Sequence, residues 1–145
     1  MTTVIEENQL DTELQELYLI SKHWLSDLEF FEKDIKFLEK LFGRAFSEML
    51  KQEGYENIAA IMLNVAEIER KGIEIKSIIL KYMQTLECLI AKTNMQFDLS
   101  LVETHVELEM EIGHLLHSFQ AIKQTIFKLT SEGIKNIHTS HALAI

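Results

Sequence analysis

His105, Ser21 and Glu109 come nearest, by residue type and spacing, to a chemical site in this chain. A histidine titrates near neutral pH and can pass a proton. Glu109, one helical turn further on, offers a carboxylate as second base or second ligand. Ser21 supplies a hydroxyl. A serine nucleophile also needs a substrate pocket and oxyanion donors, and no motif for either is present. The spacing predicts instead a buried polar layer in which the Ser21 hydroxyl pairs with the His105 ring. Such a pair satisfies groups that would each cost about 1–3 kcal/mol unpaired in a core. It also fixes register, as single buried polar residues do in coiled coils. The alternative is a small-ligand- or metal-binding bundle with a polar pocket at His105.

Other metal readings are thinner. Di-iron bundles need an inward Glu from every helix and two Glu-x-x-His pairs. This chain has one such pair, Glu111 and His114, on an outward acidic face with Glu103 and Glu107. His23 with Asp27, His114 with His117, and His138 with His141 have one-turn spacing, which offers two ligands where a zinc site needs four. No glycine-rich phosphate loop is present. The single cysteine, Cys88, excludes an internal disulfide and suits a reducing compartment. The expectation is a protein with no cofactor, no metal and no enzymatic activity.

The elements that position these residues are long helices. In the first segment a seam runs Leu10, Leu14, Leu17, Ser21, Trp24, Leu28, Phe31, Ile35, Leu38, Phe42, Ala45, Met49. Its steps alternate four and three, the pattern of heptad packing. A second seam runs from Ile58 through Ile61, Val65, Ile68, Gly72, Ile75, Ile79, Tyr82, Leu86 and Leu89 to Thr93. A third runs from Leu101 through His105, Leu108, Ile112, Leu115, Phe119, Ile122 and Ile126 to Leu129. Pro is absent and Gly is scarce, so little interrupts them. Gly54 suits a left-handed cap, Asn94 to Asp98 form a connection, and Ser100 with Glu103 reads as a capping box.

These signals predict an all-α fold, an up-down-up antiparallel three-helix bundle of long helices. The expected helices cover about 10–52, 56–93 and 100–131, within one domain of residues 1–145 that ends in a tail at 134–145. The alternative is a four-helix bundle broken near Gly43. Counting back from the loops, paired residues on the first two helices sum to about 107, and on the second and third to about 192. That count puts Ser21, Leu86 and His105 at one level.

The chain has 145 residues, 47% hydrophobic and 26% charged, with a formal charge of −9. That balance suits a globular domain and opposes nucleic acid and anionic membrane surfaces. The N-terminus lacks a signal-peptide pattern, and no apolar run reaches the length of a bilayer span. A soluble, cytoplasmic protein is the expectation.

One apolar set is surplus to the core. Leu19, Phe30, Phe37 and Leu41 fall on the outward side of the first helix. Met62, Ala66, Ile73 and Leu80 similarly flank the second seam. Contiguous exposed apolar surface marks a partner site. The expected function is therefore a non-enzymatic interaction or structural protein acting through protein–protein contacts as a homodimer, with another helical protein as the other candidate partner. Antiparallel pairing of two first helices would bring Asp27 and Asp34 towards Lys33, Lys40 or Arg44 of the second copy.

Overall fold

The computed structural model describes the backbone at residues 4–91 and 99–143, and side chains at 12–91 and 99–131. Three helices make up the described chain: α1 (Val4–Glu53), α2 (Tyr55–Ala91) and α3 (Leu99–Leu143). Together they form the expected up-down-up antiparallel three-helix bundle. The Leu10 side chain, Thr93, the Asn94 to Asp98 connection, and the side chains of His138 and His141 lie outside the described residues.

The α1–α2 turn is a single glycine. Gly54 has φ +83°, its N–H donates to the Leu50 carbonyl at 3.0 Å, and its own carbonyl accepts from Ile58 N–H at 3.3 Å. The left-handed conformation closes α1 in the manner expected of a glycine C′ cap. The Asn57 side-chain amide donates to the Glu53 carbonyl at 3.1 Å, satisfying one of the orphan acceptors at the end of α1. Gly43 does not break the helix. α1 passes through it unbroken, and beyond the backbone of its own helix nothing lies within 4 Å of where its Cβ would be.

Two boundaries differ from the spacing. α1 begins at Val4 rather than near residue 10, and the α3 backbone stays helical through Gly133 to Leu143, past the expected stop at 131. Ser131, Glu132 and Gly133 are weak breakers: one glycine costs a helix only about 1 kcal/mol, and no proline follows to enforce a stop.

The contacts divide the chain into two compact units. The first combines Met1–Phe30 with Gly72–His114, the second Phe31–Lys71 with Leu115–Ile145. In the first unit Leu14, Trp24 and Leu28 from α1 are buried, as are Ile75, Ile79, Tyr82 and Leu86 from α2 and Leu101, Leu108 and Ile112 from α3. Tyr18 donates to Glu87 at 2.7 Å, while Trp24 and Tyr82 both pack on His105. As α1 advances its α2 partners recede, so these two helices are antiparallel. In the second unit the core is Phe31, Ile35, Leu38, Phe42 and Met49 with Ile58, Val65, Ile68 and Leu115, Phe119, Ile122, Ile126, Leu129. There Phe31 meets Phe119 edge-on at 5.0 Å and Asp34 meets Lys123, so α1 and α3 advance together. Almost every described seam residue is buried; Leu17, Ala45, Ile61, Leu89 and His105 are the half-buried members. Among the described residues no helix is long and apolar enough to cross a membrane.

Candidate functional site

Ser21 and His105 each have a partner other than the one expected. Ser21 is fully buried, but its hydroxyl donates to the Leu17 carbonyl one turn back at 2.8 Å, a local bond that any helical serine can make. His105 meets Tyr82 instead. Its Nδ1 lies 3.4 Å from the Tyr82 hydroxyl, which also lies 3.4 Å from the Leu101 carbonyl. With the phenolic proton on Leu101, the histidine Nδ1–H donates to the Tyr82 oxygen. The Trp24 ring covers the imidazole at 4.6 Å between centroids. His105 is thus level with Trp24 and Tyr82, one turn along from Ser21 and Leu86. The loop count is off by that one turn.

This setting favours a neutral imidazole. Desolvation lowers the His105 pKa from 6.5, and the nearby Glu109 charge offsets part of that. Burial pushes the Tyr82 phenol up to about 12. A general base must reach the proton it removes. The rings of Trp24 and Tyr82 pack against the imidazole, at 4.6 and 6.1 Å between centroids. Among the described residues no three or more His, Cys, Asp or Glu side chains gather closely enough to hold a metal ion. Cys88 is a free, exposed thiol.

A second titrating group lies in the second unit. Hydrogen bonding to the neighbouring Glu69 carboxyl of α2 first, then desolvation and the Glu69 charge, push the Glu39 carboxyl of α1 up to about 7, against an opposing effect of Lys36.

Three of the four surplus apolar residues of α1 are exposed. Phe30 is 73% exposed, Phe37 58% and Leu19 57%, while Leu41 is half-buried. Asp34 lies one turn from both phenylalanines, and in the second unit it is engaged by Lys123 of α3 at 2.8 Å. Lys123 also stands 5.7 Å from the Phe119 and Phe127 rings, so this pair is fixed by packing as well as charge. Asp34, expected to face cations of a second copy, has a cation from its own chain.

Sequence reasoning missed a further exposed set. Leu99, Val102, Val106 and Met110 lie on α3 of the first unit at spacings of three, four and four, and all are exposed, from 37% at Val102 to 68% at Leu99. The signal was present as a helical stripe lying between the seam positions. It was overlooked because the acidic residues interleaved with it read as a solvated face. Compared with known protein families, curated proteins and solved structures, the chain matches none.

Proposed function

We propose that this protein is a non-enzymatic helical interaction protein that self-associates as a homodimer through the exposed face of α1. The observation that carries this reading is the pair Phe30 and Phe37, seven residues apart on one helix face and both more than half exposed. Each helix already has a complete seam, so these rings add nothing to the core. Burying one phenylalanine is worth about 1.5–3 kcal/mol, and a two-fold dimer has two copies of each ring to bury. Leu19 and Leu41 extend the same face.

Substituting Phe30→Asp together with Phe37→Asp tests the reading. The wild type is expected at twice the chain mass and the double variant at the chain mass, with unchanged helicity by circular dichroism. A double variant that stays dimeric places the interface elsewhere. A cytoplasmic location fits the single free cysteine, and fractionation of cells expressing the tagged chain tests it.

A further inference from the structure

Two exposed apolar faces on different units carry opposite charge. In the second unit, Phe37 and Leu41 of α1 are bordered by Lys33, Lys40 and Arg44, all exposed. The acid on their other flank, Asp34, is neutralised by Lys123. In the first unit, the α3 stripe from Leu99 to Met110 is bordered by exposed Glu103, Glu107, Glu109 and Glu111. No Lys or Arg occurs anywhere between Lys92 and Lys123. One face is a basic amphipathic helix surface and the other an acidic one. Lys33 to Arg44 and Leu99 to Met110 each span about three helical turns.

We infer that in the dimer the basic α1 face of one copy docks on the acidic α3 face of the other. Phe37 and Leu41 pack against Val102, Val106 and Met110, while Lys33, Lys40 and Arg44 meet the flanking glutamates. This rests on the homodimer reading and names the two surfaces it joins. Like-with-like pairings are opposed by charge. Two α3 faces would set carboxylates against carboxylates, and two α1 faces paired over Lys33 to Arg44 would set their lysines against each other with Asp34 already engaged.

Charge reversal tests it. Lys33→Glu/Lys40→Glu makes both faces acidic, and Glu103→Lys/Glu107→Lys makes both basic. All four positions are exposed, and circular dichroism checks that each variant keeps its helices. Dimer dissociation constants come from sedimentation at several concentrations. Each variant alone is expected to dimerise about tenfold more weakly than the wild type, or worse. An equimolar mixture of the two is expected to form heterodimers of near wild-type strength, because every basic face then meets an acidic one. If the α3 variant alone dimerises like the wild type, or the mixture shows no recovery, the inference is overturned while the homodimer stands. A wild type that is monomeric throughout overturns both.

Discussion

Ser21 shows how a residue's burial can be read from spacing while its partner cannot. Its seam position implies a dry environment, and it is fully buried. Its hydroxyl bonds within its own helix, to Leu17, because that bond needs no help from a neighbouring helix. Ser21→Ala is therefore expected to change stability by less than about 1 kcal/mol, since the Leu17 carbonyl keeps its backbone bond. Urea melts would measure it, and a loss above about 2 kcal/mol would mean that the hydroxyl has an interhelical role. Glu39 makes a pH prediction. Its folded pKa of about 7 lies above its ordinary 4.5. Below 4.5 both folded and unfolded chains hold the proton, and the contribution to stability is fully present. Between 4.5 and about 7 only the folded chain holds it, so the contribution is lost as pH rises through that window. His105 acts in the opposite sense: its lowered pKa costs stability as pH falls below 6.5. Melting temperature against pH should therefore lose its decline between 4.5 and 7 in Glu39→Gln; an unchanged slope would show that the carboxyl pair is not proton-linked to folding.

At the scale of the element, heptad spacing was sufficient to identify three helices, their seams and the Gly54 turn. Helix ends and interhelical level were less legible. α3 outruns its weak stop signals, and its level is one turn from the loop count, because heptad spacing within a helix does not fix how far that helix slides along its neighbours. Two glycines separate local conformation from contact. Beyond the local backbone, neither Gly43 nor Gly54 has an atom within 4 Å of a built Cβ, yet only Gly54 has positive φ. Gly43→Ala is expected to stabilise by about 1 kcal/mol through helix propensity. Gly54→Ala is expected to destabilise by about 1–2 kcal/mol through the left-handed backbone. Thermal unfolding of the two variants should move in opposite directions; a shared direction would contradict the assigned cap.

On the scale of the whole molecule, the surplus apolar residues carry the functional argument. The α1 stripe was legible because phenylalanine on an outward heptad position has no role in a three-helix core. The α3 stripe was not, because valine and methionine among glutamates resemble ordinary surface cover until their exposure is known. If the proposed self-association joins unlike faces, added salt weakens the dimer through its charged rims. The most direct test is the absolute mass of the wild-type chain by light scattering after size exclusion. Self-association predicts twice the 16.9 kDa of one chain, falling towards the chain mass on dilution. A mass of 16.9 kDa at every concentration would contradict it.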